Sequence, residues 1–310
     1  MDKLEILELR ENAISFRCMY DGASQVWQMV KGVVAMQSSL VSPIQRPRRT
    51  ALVVAHPGHE LRVFGWAQAN HSRVYVLTDG SGRSGISRLP STASLVASLG
   101  CECGEIFGMV SDRAIYRALR EHRYDFFIHL LDLLSASFQS HDIDFVGGDA
   151  TEWFNPTHDV CRMLINAAVA ISLLATGREI ANYEFCLTEW EQARQQEHDC
   201  RCWHIQLDDS ALQSKLDAAY AYVELHDEVE RAIAARGKES FRTECLRRVT
   251  TIDSKAPEKP FYEIWGERRV AEGEYNSVIR YQEHLLPLQQ AIDRYVERTA
   301  RPSAKGQVAS

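Results

Sequence analysis

The chain has 310 residues, of which 45% are hydrophobic and 25% charged, as expected for a soluble globular protein large enough for one α/β domain with additions. Its formal net charge of -7 provides no basic field for a phosphate backbone, so we expect no nucleic-acid partner. Eight cysteines without Cys-x-x-Cys spacing, and an acidic N-terminus without the apolar core of a signal peptide, predict reduced thiols in a cytoplasmic protein.

Residues 1–49 predict an N-terminal extension that ends in a linker, because the segment SPIQRPRRT holds two prolines and three arginines. The valine-rich run ALVVA at 51–55 then predicts a buried parallel strand. The segment HPGH follows it and precedes an amphipathic stretch. RVYVLT at 73–78 predicts a second strand, after which a glycine- and serine-rich loop extends to about Pro90.

The middle of the chain predicts further helices and one more strand. The clearest helix is Val160–Thr176, closed by Gly177 where a left-handed cap is expected. Its apolar run is too short to span a bilayer, so we expect a buried helix and no membrane span. The other predicted elements are a helix ending at Gly100, helices at 115–121 and 126–138, and a strand at 143–146. This alternation predicts a Rossmann-like, doubly wound and mostly parallel sheet over residues 50–204.

The character of the sequence changes near residue 205. Apolar residues recur at helical spacing as far as Gly237, and a second helical stretch at 277–299 is interrupted near Pro287. We therefore expect a helical C-terminal addition over residues 205–300. The last ten residues, 301–310, predict a disordered tail.

Two short segments, HPGH at 56–59 and NPTH at 155–158, share the pattern X-Pro-x-His before a predicted helix. Proline suits the first helical position and Asn155 suits the N-cap, so His59 and His158 should lie in first helical turns, where the helix dipole favours neutral imidazole. His56 follows the first strand, at the edge where open α/β sheets bind ligands. Three imidazoles with one open position form a known catalytic zinc arrangement, whereas capping or packing roles remain the alternative for each histidine.

Two other segments are candidates for substrate contacts. GSGRSG at 80–85 matches Gly-x-Gly-x-x-Gly but follows the second strand, which disfavours a dinucleotide site. We expect this loop to line a pocket, with Asp79 and Arg83 contacting a polar substrate, although Arg83 is equally compatible with a solvated loop. A segment at 260–284, rich in Tyr, Glu and Arg, offers Tyr262 as a polar contact or a helix-packing surface.

Three motifs resemble those of the LmbE/PIG-L family of zinc-dependent N-deacetylases, over roughly residues 50–190. ALVVAHPGHE resembles the first family motif, usually Ala-His-Pro-Asp-Asp-Glu; NPTHD resembles the second, usually His-Pro-Asp-His; and TDGSGRSG resembles the Thr-Asp/Asn-Gly segment. The resemblance implies one zinc ion per chain, held by His56, by His59 in the position of the family's ligand Asp, and by His158.

The chain departs from the family pattern at two positions. Gly58 stands where the family has its general base, and Asn155 stands where the family has a His that assists the tetrahedral intermediate. The ligand set is neutral, so the metal keeps its full charge. Asp159 and Glu60 are the predicted catalytic carboxylates, although both also suit helix N-termini as dipole partners. The other titratable candidates are Asp149, Glu152 and His284.

These features predict a metal-dependent hydrolase that removes an acyl group from an amino sugar or a related small amide. Its partner would be a small-molecule substrate contacted by Asp79, Arg83, Asn155 and Tyr262. Zinc is the default ion, but imidazole ligands also accept nickel, cobalt or iron. Two alternatives stay open: a non-catalytic metal- or sugar-binding protein, and a biosynthetic enzyme with altered metal-assisted chemistry. The sequence leaves the oligomeric state open.

Overall fold

The computed structural model describes residues 49–82, 84–188, 202–249 and 256–300. Within these ranges seven strands form one sheet. The strands are β1 (Thr50–Val54), β2 (Arg73–Thr78), β3 (Glu102–Val110), β4 (Phe145–Asp149), β5 (Ala181–Phe185), β6 (Cys202–Gln206) and β7 (Thr243–Arg248).

The helices of the same part of the chain connect and cover these strands. They are α1 (Phe64–Asn70), α2 (Leu89–Ser98), α3 (Asp112–Arg120), α4 (Tyr124–Ser140), α5 (Pro156–Thr176), α6 (Asp209–Ala221), α7 (His226–Arg236), α8 (Phe261–Ala271) and α9 (Leu286–Ala300). Single 3-10 turns cover His59–Val63, Val223–Leu225 and Lys238–Phe241, and a π-helical turn covers Tyr281–Leu285.

The strand order is β3-β2-β1-β4-β5-β7-β6, and the first five strands are parallel. At the centre, Leu52 of β1 lies opposite Val74 of β2 and Gly147 of β4. The chain moves outward from β1 to β3 and then crosses to the other side of β1 with β4. This reversal creates a switch point between β1 and β4, whose carboxyl ends form the usual ligand crevice of such sheets. The predicted α/β, mostly parallel sheet is confirmed.

Helices cover both faces of this sheet, which explains why β1 is buried along its whole length. One face packs against α3, α4, α5 and α9, and the other against α1, α2 and the corner that follows α6. The central helix α5 is long and apolar enough to cross a membrane by length and composition, but 67% of its apolar window is buried inside the fold. It therefore serves as the core helix that the sequence predicts.

The region after residue 201 differs from the predicted helical addition, because β7 extends the sheet antiparallel to β5 and β6 pairs antiparallel with β7. Their short segments, CWHIQ and TECLRR, carry polar residues that mask the strand pattern. Glu244 of β7 is fully buried: it accepts hydrogen bonds at 2.9 Å from the backbone N–H groups of Gly65 and Trp66 and from Lys215. This ion pair joins the antiparallel strands to α1 and α6.

Two further predictions are settled by the described helices. α7 ends at Arg236 with Gly237 as its C-cap (φ 77°), so the helical pattern ends where the sequence predicts. The π-helical turn at Tyr281–Leu285 leads directly into α9 at Leu286, so the helical stretch changes type next to Pro287, where the sequence predicts an interruption. The described residues belong to one compact unit. The predicted extension before residue 49 and the predicted tail at 301–310 lie outside the described residues.

Candidate metal centre

The carboxyl ends of four neighbouring parallel strands meet at one edge of the sheet, and each supplies a polar side chain. His56 lies two residues after β1, and Thr78 ends β2. Asp112 lies two residues after β3, and Asp149 ends β4. The edge beside the switch point is therefore the part of the fold where histidine and carboxylate side chains collect.

The second X-Pro-x-His segment adopts the predicted helix start. The Asn155 side chain accepts a hydrogen bond from the backbone N–H of Thr157 at 2.8 Å, and Pro156 is the first residue of α5. His158 lies in the first turn of this helix and is 6% exposed. A rigid, buried helix thus presents one imidazole to the carboxyl edge of the sheet.

The first segment begins its helical turn two residues later than predicted. Gly58, rather than His56, is the N-cap, and a five-residue 3-10 turn begins at His59. The prediction that Pro57 is the first helical residue is wrong, because the chain leaves β1 through a tight turn. This turn needs a φ of 103° at Gly58, a conformation that glycine adopts without steric cost.

The three predicted ligand histidines come together. Ring centroids are 5.2 Å apart for His56 and His59, 5.1 Å for His56 and His158, and 4.7 Å for His59 and His158. Three imidazoles bound to one tetrahedral zinc ion at the usual Zn–N distance would have centroids about 5.2 Å apart. The separations therefore match a three-histidine metal site.

Some ring nitrogens of the three histidines have a side-chain partner, and others have none. His56 Nδ1 lies 2.8 Å from Thr78 Oγ1 and 2.9 Å from Asp112 Oδ1, and His59 Nδ1 lies 2.8 Å from Asp149 Oδ2. His56 Nε2 and His158 Nδ1 are buried and have no hydrogen-bond partner. Buried polar nitrogens without partners are rare in native proteins, and a metal ion would satisfy them.

None of the described His, Cys, Asp and Glu residues forms a group of three already arranged to hold a metal ion. The observations that favour a divalent ion bound by imidazole are the close approach of the three rings and the buried, unpartnered nitrogens of His56 and His158.

The electrostatics keep two of the imidazoles neutral, as ligands must be. Burial lowers the pKa of His56, against the hydrogen bond to Asp112 that raises it. Burial also lowers the pKa of His158 well below its usual value, and the neighbouring His59 and His56 lower it further. Burial is thus the largest cause of neutrality at His158.

Two buried carboxylates lie next to histidine Nδ1 atoms: Asp112 next to His56 and Asp149 next to His59. Burial acts to raise the pKa of Asp112 and of Asp149, but contacts with His56 and His59 outweigh it and lower both pKa values. Both groups are therefore ionised. Asp149 accepts from Nδ1–H of His59, whereas Nδ1 of His56 is hydrogen-bonded to Thr78 and lies 2.9 Å from Asp112, so Nε2 of each ring is left to face a ligand. Carboxylate–histidine pairs of this kind orient metal ligands and raise their basicity.

The predicted catalytic carboxylates Asp159 and Glu60 have local backbone partners. Asp159 accepts from the N–H groups of Glu152 and Trp153 at 3.3 and 3.4 Å, and burial raises its pKa to about 7. Glu60 accepts from Gly58 N–H at 2.8 Å, and burial likewise raises its pKa. Glu60 thus holds the turn that carries His59, and Asp159 holds the loop between β4 and α5; their catalytic roles remain predictions.

The predicted substrate contacts are distributed as follows. Asp79 accepts from the backbone N–H and hydroxyl of Ser81, which shapes the loop after β2. Asn155 uses its amide oxygen as the helix cap, and Tyr262 in α8 is buried with a hydroxyl that has no partner among the described groups. Arg83 lies outside the described residues. None of the four is thereby shown to contact a substrate.

Sequence reasoning missed Asp112 and Thr78. Asp112 also accepts a hydrogen bond from Gly82 N–H at 2.6 Å, so it links His56 to the glycine-rich loop. It was missed because β3, with the sequence ECGEIFGMV, was not predicted as a strand. Recognition of that strand would have placed the Ser-Asp pair after it at the same sheet edge as His56.

Comparisons with known proteins find similar folds among solved structures. No family model matches the sequence, and no curated protein matches it. Solved structures that it resembles include the A40926 pseudoaglycone deacetylase Dbv21 (15% identity, 68% of this chain and 100% of that chain, TM-score 0.45) and the zinc-inhibited form of teicoplanin deacetylase Orf2 (12%, 66% and 100%, 0.48). Another is the conserved protein TT1542 from Thermus thermophilus (16%, 67% and 100%, 0.43). At these values, fold class and function must be argued from the chain's own residues.

Proposed function

We propose that this chain is a metal-dependent hydrolase that removes an acyl group from an N-acylated amine, with an amino sugar as the expected amine. The observation that carries the proposal is the cluster of His56, His59 and His158 at the carboxyl edge of the parallel sheet. Unpartnered buried nitrogens and carboxylates behind two of the rings support a metal role over simple packing. The choice of an amide substrate rests on the motif resemblance.

A divalent ion at this site would supply Lewis acidity for attack on a carbonyl group. The chain's own residues hold and orient the site: Asp149 fixes the tautomer of His59, Thr78 and Asp112 lie against Nδ1 of His56, and α5 fixes His158. Because Asp112 and Asp149 are ionised, they balance charge that the neutral imidazoles leave on the ion. In the family, one metal ligand is a negatively charged Asp. In the proposed site of this chain, the negative charges are instead those of Asp112 and Asp149, which contact the ligand histidines.

The direct test is the metal content of purified protein, measured by elemental analysis in the wild type and in His158→Ala. His129→Ala is the matched control, because this histidine is exposed on α4. We expect about one equivalent of metal in the wild type and control and its loss in His158→Ala. No metal in the wild type would refute the three-histidine site.

Turnover of a panel of N-acylated amino sugars and simple N-acyl amines then tests the reaction. We expect hydrolysis by the wild type that His158→Ala abolishes. A metal-loaded wild type with no turnover above that of His158→Ala would refute the hydrolase and leave the metal site intact.

A second candidate, a metal-binding protein without catalytic activity, is favoured by the surroundings of Gly58. A Cβ at this position would lie 2.4 Å from Leu225 Cδ1, so the space for a carboxylate is filled. Gly58→Asp would also be strained by the left-handed φ of 103°. Restoring the family carboxylate therefore perturbs the fold and cannot by itself decide between the candidates. The candidates are separated by turnover, since this one predicts metal binding without hydrolysis.

A further inference from the structure

Arg162 is a buried cation that the proposed chemistry does not use directly. It is 2% exposed and lies on α5 one helical turn after His158. Burial of a guanidinium group is costly unless hydrogen bonds and counter-charges compensate for lost solvation. Its position beneath the metal centre therefore requires a structural reason.

The guanidinium joins the carboxyl end of β4 to the first half of the neighbouring parallel strand β5. Its Nε donates to the carbonyl oxygen of Asp149 at 2.6 Å, which lies at the end of β4. Its two Nη atoms donate to the Asn182 side chain at 2.9 Å and to the carbonyl oxygen of Tyr183 at 3.2 Å, both on β5. Glu184 supplies a counter-charge, with Oε2 3.7 Å from Nε.

Asp149 is consequently held at both its main chain and its side chain. Arg162 binds its carbonyl oxygen, while its carboxylate accepts from Ala55 N–H and faces His59 Nδ1, each at 2.8 Å. A direct series of hydrogen bonds thus runs from Arg162 through Asp149 to the His59 ring. The same helix carries His158, so Arg162 also ties that ligand's helix to β4.

Gly148 allows this close approach of α5 to the sheet. A Cβ there would lie 2.5 Å from Ile165 Cδ1 and 2.6 Å from the carbonyl oxygen of Val53, and 3.2 Å from Arg162 Nη2. Contacts under 3.0 Å with backbone require the chain to move. The glycine therefore brings the guanidinium within reach of β4 and β5.

We propose that Arg162 is a positioning residue of the metal centre, which orients His59 for metal binding by fixing Asp149. The inference rests on the proposed metal site but not on the identity of the substrate. Arg162 contacts neither a ligand nitrogen nor a reacting group, so its effect should be seen in metal affinity and coordination geometry as well as in activity.

The test compares Arg162→Met and Arg162→Lys with Arg247→Met. Arg247 is the matched control, because it donates to the same Glu184 at 2.6 and 3.0 Å but has no hydrogen bond to Asp149. For each full-length protein we would measure zinc affinity by competition with a chelator, the absorption spectrum of bound Co²⁺, and the thermal unfolding midpoint.

We expect Arg162→Met to bind zinc about 10- to 100-fold more weakly, the range typical of partners that support metal ligands, and to change the Co²⁺ spectrum. Arg162→Lys should be intermediate, because an ammonium group cannot reproduce the planar set of bonds. Arg247→Met should keep the wild-type affinity and spectrum, even with a lower unfolding midpoint.

Wild-type zinc affinity and Co²⁺ spectrum in a folded Arg162→Met protein would overturn the inference. If that variant does not fold, the same two wild-type results for Arg162→Lys would overturn it, and weaker binding with an altered spectrum would support it. Equal weakening by Arg247→Met would also overturn it, because the effect would then follow general destabilisation. No metal binding by the wild type would overturn the proposed function as well, which separates the two failures.

Discussion

Substitution of Asp149 by asparagine tests the contribution of the carboxylate behind His59. The carboxylate accepts from Ala55 N–H and His59 Nδ1–H through Oδ2, each at 2.8 Å, while Oδ1 has no partner. An asparagine of the same shape can direct its amide oxygen to both donors and its NH₂ group to the position of Oδ1. The substitution therefore retains acceptor geometry and removes the negative charge.

The expected loss follows from that difference. Hydrogen bonds to charged groups contribute roughly 1.5–3 kcal/mol, and neutral ones roughly 0.5–1.5 kcal/mol. Loss of about 1.4 kcal/mol at the metal-bound state corresponds to about tenfold weaker metal affinity for Asp149→Asn. Asp149→Ala also removes the acceptor for both hydrogen bonds. We therefore expect its metal affinity to fall by about 100-fold, the upper end of the range typical of residues that support metal ligands.

The measurement is a competition titration with Zn²⁺ and a chelator, together with circular dichroism to confirm folding. Asp132→Asn is a suitable control, because its carboxylate accepts from Tyr295 hydroxyl at 2.6 Å on the exposed side of α4. A folded Asp149→Asn protein with the affinity of the control would refute the orienting role of this charge. Equal affinities for the asparagine and alanine variants would refute the separation of charge from geometry.

Three predictions concern stability. Glu244→Gln leaves Lys215 buried without its counter-ion, so urea denaturation should show a free energy of unfolding lower by about 3–5 kcal/mol. Adding Lys215→Met to this variant should recover part of the loss. No recovery would contradict the ion-pair reasoning. Gly58→Ala should lower the free energy of unfolding by about 2–4 kcal/mol, because of the left-handed φ and the clash with Leu225. The same substitution should lower it by less in a Leu225→Ala background. Equal losses in the two backgrounds would exclude the clash. Burial acts to raise the pKa of Glu105, but hydrogen bonds from a serine and a histidine lower it to about 2, so its contribution is full above its usual pKa and is lost as pH falls from about 5 to 2. Because this side chain is 47% exposed, the contribution should be below about 1 kcal/mol, and Glu105→Gln should lose correspondingly less stability than the wild type between pH 5 and pH 3 in urea titrations.

The predictable part of the fold is the part whose burial is continuous. ALVVA, RVYVLT and the helix closed by Gly177 were predicted because both faces of a central parallel strand, and most of a core helix, must be apolar. β3 was missed because it lies at the edge of the sheet, where Ile106 is its one buried residue. β7 was missed because a buried strand there contains Glu244, whose charge is compensated by a lysine from a distant helix.

The site was predictable to the extent that its residues are close in sequence to strand and helix ends. His56, His59 and His158 follow from two four-residue segments and from the motif resemblance. Asp112 could not be assigned, because its role depends on pairing between β2 and β3. The role of Arg162 depends on its contact with Asp149, and that of Leu225 on its contact with Gly58. Both are tertiary contacts, which no local sequence pattern encodes.

Gly58 has a physical reason that is independent of catalysis. By resemblance, this position carries the general base in the LmbE/PIG-L family, so glycine suggests a lost function. The turn after β1 instead requires a φ of 103° there, and Leu225 occupies the direction of a Cβ. A side chain at position 58 would strain the turn that places the His59 and His56 ring centroids 5.2 Å apart. The backbone of this turn therefore requires glycine at position 58, which gives the departure from the family pattern a structural reason independent of hydrolysis.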